Sequence, residues 1–386
     1  MASLKISSSQ IQHQFHTKSS NHLHNSQFLS PKNVSFDGFS RSSVGLIRVS
    51  QTQSFINATV IQEVPILSCE EAIERYRWSR GGQKCSEMLA MYSSVFGGIT
   101  TDPAAMLIPI DDHLVHRGHG VFDTALIFDG HLYELDQHLD RFLKSAKMAK
   151  IKLPFDENTI WSVLIQTVSA SKCTQGSLRY WLSSGPGDFH LSPSRSSRPA
   201  FYAVVLQDKF LLARREGIKV ITSSVPIKPP IFATIKSVNY LPNVLSKMEA
   251  EEKGCSASIW LDSLGFVAEG PNMNVAFVTS EKELVMPRFK NVLKGCTANR
   301  VLILARELLR KGVLRRVSVR DVTVEEGKNA EEMMLIGSGV AVTPVIQWDD
   351  QVIGDGREGP IAGALLDLIF EDMKSGPSSV RVPVPY

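Results

Sequence analysis

The 386-residue sequence predicts an α+β protein of two domains behind a leader. Three observations lead there. Short period-two strands and hairpins are interspersed with amphipathic helices. The pattern lapses between Leu206 and Gly217, where a boundary fits. The first 58 residues or so differ in composition from everything after them. The expected layout is a leader over 1–58, a helical extension over 59–87, a small α+β domain over 88–208 and a larger one over 209–386. No internal repeat is visible.

Taken in order, Pro65 to Glu87 reads as a helical lead-in capped by Ser68, and Met88 to Tyr92 as a strand ended by Gly97-Gly98. Val121 to Leu135 alternates and turns at Asp129-Gly130, a hairpin signal. Asp136 can cap a helix over 137–150 whose Leu139, Phe142, Leu143 and Ala146 share one face. A second helix near 157–170 and strands over 177–183 and 200–206 complete the first half. The second half holds strands over 219–225, 257–261, 274–279, 283–286, 316–322 and 332–336. Helices over 298–310 and 361–374 belong with them. Ile231 to Ile235 is apolar and partly β-branched, so it reads as the end of a strand. A helix follows it, with Asn239 as cap, Pro242 in the first turn and Gly254 past the end.

Composition excludes several classes. A net charge of +3 without a dense Lys/Arg stripe gives a nucleic-acid role no support. No run approaches the ~18 apolar residues of a membrane span. The five cysteines, Cys69, Cys85, Cys173, Cys255 and Cys296, are scattered with no C-x-x-C, which points to reduced thiols rather than a disulfide scaffold or a zinc site. His113, His116 and His119 have metal-like spacing, but Gly118 and Gly120 interrupt the segment, so no metal is expected. The leader is rich in Ser, Asn, Gln and His, carries Lys5, Lys18, Lys32, Arg41 and Arg48, and has one acid, Asp37. That composition reads as a plastid transit peptide, with a mitochondrial one second and a retained tail as the plain alternative.

Three places in the second half, with one lysine, can carry chemistry. Lys236 falls at the junction between the expected strand and helix. There it is either a solvated loop cation or an amine whose pKa drops in an apolar pocket, making it a nucleophile. Glu269 lies in the apolar run Phe266 to Asn274, read as a buried strand, where an unpaired carboxylate is costly. Gly295-Cys296-Thr297 precedes a helix, as an ordinary cap or as an anion site made by free N–H groups. Gly337-Ser338-Gly339 follows a buried strand, where backbone can approach a ligand closely. A nucleophilic lysine, a buried carboxylate and a phosphate cradle together fit pyridoxal phosphate.

From Met88 to about Trp348 the sequence resembles the fold-type-IV pyridoxal-phosphate enzymes, the class IV aminotransferases. These include D-amino-acid aminotransferases, branched-chain aminotransferases and 4-amino-4-deoxychorismate lyases. The run from Ile235 to Ala250 is similar to the family's lysine segment, and His138-Leu139-Asp140-Arg141 to its phosphate-binding arginine motif. Glu269-Gly270 with Asn274 matches its pyridine-nitrogen segment, and Val342-Thr343-Pro344-Val345 its substrate-side turn. With its Ser-rich leader, the chain is most similar to the plant plastid D-amino-acid transaminases and aminodeoxychorismate lyases.

The resemblance implies that Lys236 is the Schiff-base lysine and acid/base, and that Glu269 pairs with the pyridine nitrogen. It also implies that Arg141, Asn274, Cys296 and Thr297 hold the phosphate, although Arg141 read alone is equally a surface helix cation. It implies small amino acids and 2-oxo acids as partners, and a homodimer. Two departures concern substrate. Phe122 stands where the bacterial D-amino-acid enzymes have tyrosine, and Ser184 falls near the arginine of their Arg-x-His carboxylate trap. Arg179, the loop Gly185 to His190 and the Ser338-Gly339 turn are the candidates for that role. Phe122-x-Thr124 resembles the lyases, in which a threonine near the cofactor can donate a proton. An L-branched-chain aminotransferase is the alternative.

Overall fold

The computed structural model describes residues 64–81, 88–196, 198–207 and 216–386, so the expected leader, residues 82–87 with Cys85, and much of the lapse after Leu206 lie outside the described residues. Residues 65–386 form one compact unit. Helix α1 (Cys69–Gly81) opens it with a reciprocal cap, in which Glu71 N donates to Ser68 Oγ and Ser68 N to Glu71 Oε2.

The first half contains β1 (Met88–Ser93), β2 (Gly98–Thr100), α2 (His113–Arg117), β3 (Gly120–Phe128), β4 (His131–Tyr133), α3 (Leu135–Met148), α4 (Glu157–Ser171), β5 (Gly176–Ser183) and β6 (Ala200–Leu206). The expected hairpin forms between β3 and β4. Asp129 at φ 48° and Gly130 at φ 69° take the left-handed conformations that a two-residue turn needs. Helix α4 is capped by Asp156, which accepts from Thr159 N at 2.9 Å. Helix α3 starts two residues before its expected start, after Glu134 in a left-handed conformation, so Asp136 lies inside the first turn rather than capping it.

The second half contains β7 (Ile218–Thr222), α5 (Pro230–Ala233), α6 (Leu241–Glu252), β8 (Ala257–Ile259), β9 (Asn274–Val278), β10 (Glu283–Met286), α7 (Cys296–Arg310), β11 (Arg316–Val319) and α8 (Val324–Lys328). It ends with β12 (Glu332–Gly337), β13 (Ala341–Trp348), β14 (Gln351–Val352), α9 (Pro360–Ser375) and β15 (Arg381–Pro383). Three expectations change here. Ile231 to Ala233 is a helical turn, because Pro229-Pro230 sets helical entry and Phe232 N bonds back to Pro229 O. Asn239 does not cap α6; its Nδ2 donates to Gly118 O at 2.9 Å. Val342 to Val345 is not a turn but part of β13, with the turn one step earlier at 337–340. Pro344 is tolerated there because the pairing of β13 with β7 begins only at Val345.

Two sheets result, in the orders β15-β4-β3-β5-β6-β1-β2 and β11-β10-β9-β12-β13-β7-β8, with β14 against β13. One face of the first sheet packs Val121, Ala125, Tyr180 and Phe201 against Phe142 of α3 and Leu164 of α4. The second sheet is covered on both faces. Ala276, Met334 and Ile336 meet Val301 of α7 and Leu365 of α9, while Phe277 and Trp348 stack on the other side. Leu126 of β3 and Tyr133 of β4 join that second core. Tyr133 Oη donates to Asp372 Oδ2 at 2.5 Å, and Arg300 holds the same carboxylate bidentately. The alternation of β3 therefore turns Phe122, Thr124 and Leu126 toward the second half, away from α3 and α4.

Candidate active site

Lys236 sits where the two halves meet. Ile235 is buried in the core of the first sheet, so the next side chain points the other way. Its backbone is pinned by three bonds. Phe122 N donates to Lys236 O at 3.0 Å, Val238 N to Gly120 O at 3.0 Å, and Lys236 N to Ser145 Oγ at 3.2 Å. The Lys236 segment thus forms a bridge on β3, with Ser237 opposite Val121.

The amine lies 4.6 Å from the centre of the Phe122 ring and 3.4 Å from Tyr240 Oη. It makes no ion pair among the described residues. Burial and, next, the Arg141 guanidinium push its pKa down to about 8, against the pull of Asp123, Cys296 and Glu269. About a tenth is therefore the neutral amine near pH 7, far more than for an ordinary lysine.

Glu269 is buried, in an extended segment rather than the expected strand: only an isolated bridge, Leu261 to Val267, precedes it, and Trp260 N donates to Glu269 O. Its carboxyl forms no ion pair among the described residues, and its side-chain contact is Asn274 Nδ2 at 3.4 Å. Burial pushes its pKa up to about 8, offset only in part by Lys228, a backbone contact at Leu293 and Lys236. Asn274 also donates to Leu293 O at 2.9 Å and accepts from Gly295 N at 3.1 Å, which fixes the loop leading into α7. A Cβ on residue 295 would lie 2.2 Å from Asn274 Oδ1, so the close approach requires glycine.

Helix α7 starts at Cys296, two residues before its expected start. Gly295 supplies no side-chain cap, and the N–H groups of Cys296, Thr297 and Ala298 have no acceptor among the described residues. Thr297 Oγ1 lies 3.3 Å from Ser338 Oγ, which brings the 337–340 turn to this helix end. Gly339 is exposed beside it.

Arg141 is not a surface cation. Its Nε and Nη2 hold Asp123 Oδ2 and Oδ1 at 2.8 and 2.7 Å, and His138 Nδ1 shares Oδ1 at 2.8 Å. Asp123 is fully buried; burial opposes its charge, but Arg141 and His138 hold its carboxyl well below the usual carboxylate range. Burial also opposes the charge on His138, yet Cys296 and Asp123 outweigh it and raise the ring to about 9. The structure thus brings Lys236, Phe122, Glu269, Asn274, Cys296, Thr297, Ser338 and Arg141 into one electrostatic neighbourhood. Thr124 lies two residues along β3 from Phe122, opposite Arg179, whose side chain is exposed.

Sequence reasoning passed over Asp123, Tyr240 and Lys228. An acid inside the apolar run Gly120 to Phe128 was a usable signal for Asp123. Tyr240 and Lys228 had none, since their meaning comes from what they face. His113, His116 and His119 gather against the 184–190 loop, with His113 Nδ1 3.1 Å from His119 Nδ1, but no set of three metal-ligating groups converges among the described residues. No helix among the described residues is long and apolar enough to cross a membrane.

Comparison with known proteins bears on this geometry. A D-amino-acid transaminase, chloroplastic, of Arabidopsis thaliana is 67% identical over 324 residues, 84% of this chain and 86% of that one. A bifunctional aminodeoxychorismate lyase / D-amino acid transaminase of Mycobacterium tuberculosis is 27% identical, over 54% of this chain and 76% of its own. A branched-chain amino acid aminotransferase from Thermobaculum terrenum, solved in its PLP form, superposes with a TM-score of 0.68 at 22% identity, over 78% of this chain and 99% of that one, a likeness of fold. The family model for amino-transferase class IV matches residues 120–348, from the start of β3 through Lys236 and Glu269 to the end of β13. More than half of the sequence, including every group placed around the Lys236 amine, falls inside that match, and the chain belongs to the class IV aminotransferases.

Proposed function

We propose that this chain is a pyridoxal-phosphate-dependent transaminase that passes the amino group of a D-amino acid to a 2-oxo acid such as pyruvate or 2-oxoglutarate. The carrying observation is the Lys236 amine, pinned by its backbone, walled by aromatic rings and brought down to about 8. The D configuration rests on the 67% identity to the Arabidopsis thaliana enzyme.

The residues fit the cofactor. The acceptor-free N–H groups at the start of α7, with the Thr297 hydroxyl and the Arg141 guanidinium nearby, suit a phosphate. Cys296 and Thr297 offer it backbone donors, and Asn274 holds Gly295 in place for that approach. Glu269, kept protonated by burial and lacking an ion-pair partner among the described residues, suits a ring nitrogen with which it can share that proton. Pyridoxal phosphate, when bound, supplies an electron sink for the pair left at the substrate's α-carbon. Lys236 Nζ takes up the α-carbon proton of the amino donor and, in the opposite half-reaction, gives a proton to the α-carbon of the acceptor. Phe122 and Tyr240 exclude water from that amine. Thr124, Ser338 and Gly339 line the substrate side in this reading, and the exposed Arg179 does not.

A second reading, cleavage of aminodeoxychorismate to 4-aminobenzoate and pyruvate for folate synthesis, is favoured by the bifunctional relative and by Thr124 beside Phe122. The deciding assay gives the full-length protein D-alanine or L-leucine with 2-oxoglutarate. D-Alanine turnover without L-leucine turnover is expected. Turnover of L-leucine alone moves the chain to the branched-chain group, and turnover of neither, with cofactor bound, leaves the lyase.

Residues 1–58 are proposed as a plastid leader, in line with the chloroplastic relative, and the working form as a homodimer. Exposed apolar residues flank Lys236 on both sides, Ile231 and Phe232 before it and Leu241, Val244 and Leu245 after it, which suits burial against a second copy. Enzyme recovered from isolated plastids should lack the leader and sediment at twice the chain mass; a full-length monomer there contradicts both.

A further inference from the structure

We propose that Lys228 is the cation that receives the carboxylate of the incoming amino acid or oxo acid, a role that rests on the reading above. Lys228 lies between β7 and α5. On one side of it Ile227 packs with Trp260, Ala268 and Val292, and on the other Pro229 and Pro230 fix the entry to α5. The ammonium is therefore carried on a braced stretch of backbone.

Its Nζ stands 4.9 Å from the centre of the Tyr240 ring, the same ring that Lys236 Nζ reaches at 5.8 Å. Among the described residues it forms no hydrogen bond and no salt bridge. Burial lowers its pKa, Glu269 favours its charge through space and Lys236 opposes it, so Lys228 shares the field of both reacting groups. A partly desolvated ammonium without a hydrogen-bonding acceptor is costly, and an arriving anion removes that cost.

The other cations are committed or misplaced. Arg141 spends two nitrogens on Asp123, and Lys236 must be neutral to react. Arg179 stands exposed on β5. Ser184, at the place of the bacterial trap arginine, carries no charge, and its hydroxyl meets His119 Nδ1 at 3.1 Å. Both substrates carry a carboxylate on the carbon that reacts, next to the nitrogen or oxygen exchanged at Lys236. A lysine ammonium, a compact charge with three rotatable donors, can follow that carboxylate in either half-reaction.

The test uses the full-length protein loaded with pyridoxal phosphate, with K228M and K228R beside the parent. K228M is expected to raise KM for D-alanine and for 2-oxoglutarate by about tenfold or more, the size of a lost charge-assisted hydrogen bond, with a smaller fall in kcat. Calorimetric titration with succinate, which cannot react, should show the same loss of affinity. The dissociation constant for pyridoxal phosphate should stay within about twofold of the parent, and K228R should recover most of the succinate affinity. Unchanged succinate affinity in K228M overturns the proposal, as does a loss confined to pyridoxal phosphate. If the parent turns over neither amino acid, the transaminase reading fails, and the succinate titration still decides the role of Lys228.

Discussion

Lys236→Ala is expected to lower amino transfer by roughly 10⁴-fold or more, the upper range for a positioned proton-transfer group. The fold should survive, because the bonds that hold this segment run through backbone: Phe122 N to Lys236 O, Val238 N to Gly120 O and Lys236 N to Ser145 Oγ. Small primary amines in the buffer should restore part of the rate, since the space left beside Phe122 admits them. The parent carries a pH signature that the variant lacks. With the free ammonium brought down to about 8, its reactive neutral form grows as pH rises through 8, and kcat, which reports the complex in which substrate has released that amine, should climb and then level. Retained turnover in Lys236→Ala, or a parent profile flat from pH 6 to 9, would sink the assigned role.

The second large effect is on stability. Asp123→Asn keeps the volume but removes the charge and one of the two acceptor oxygens, so the buried Arg141 guanidinium loses its bidentate partner and shares the remaining carbonyl with His138. Breaking a buried pair in this way costs roughly 3 to 5 kcal/mol. The pH dependence has a definite sign. His138 is raised from 6.5 to about 9, so its contribution is complete below the ordinary value and fades as pH rises through about 9. Asp123 is depressed, so its share is present above the ordinary carboxylate range and lost as pH falls through it. Urea melts of the parent should therefore lose stability between pH 6.5 and 9, and Asp123→Asn should flatten that slope. Inorganic phosphate should recover part of the loss if the freed Arg141 faces an anion site. A variant that melts within about 0.5 kcal/mol of the parent would show that the pair holds nothing together.

Legibility in the sequence followed the range of the interaction. Asp129-Gly130 and Ser68 announce a turn and a cap because the groups they serve lie within three residues. Lys236, Glu269 and Gly295-Thr297 were visible as chemistry out of place in apolar or glycine-flanked runs. Arg141 was visible only by resemblance, since its partner Asp123 is on another strand. Asn239 misled because its side chain serves Gly118, far back in the chain, instead of the adjacent helix. Val342 to Val345 misled because a proline in a paired strand contradicts the usual pattern. Lys228 gave no signal: a lysine beside two prolines is ordinary until Tyr240 and Glu269 are placed beside it.

Strand β15 has a consequence for how the molecule is made. Arg381 to Pro383 run antiparallel to β4 and close one edge of a sheet whose other strands all lie before residue 207. Chains emerge from the ribosome N-terminus first, and early pieces begin to fold as they appear. Here β4 must wait, its outer hydrogen-bonding groups open to water or to a chaperone, until the second sheet and α9 have been translated. Residues 381–383, made after the whole of the second sheet, complete the first sheet begun.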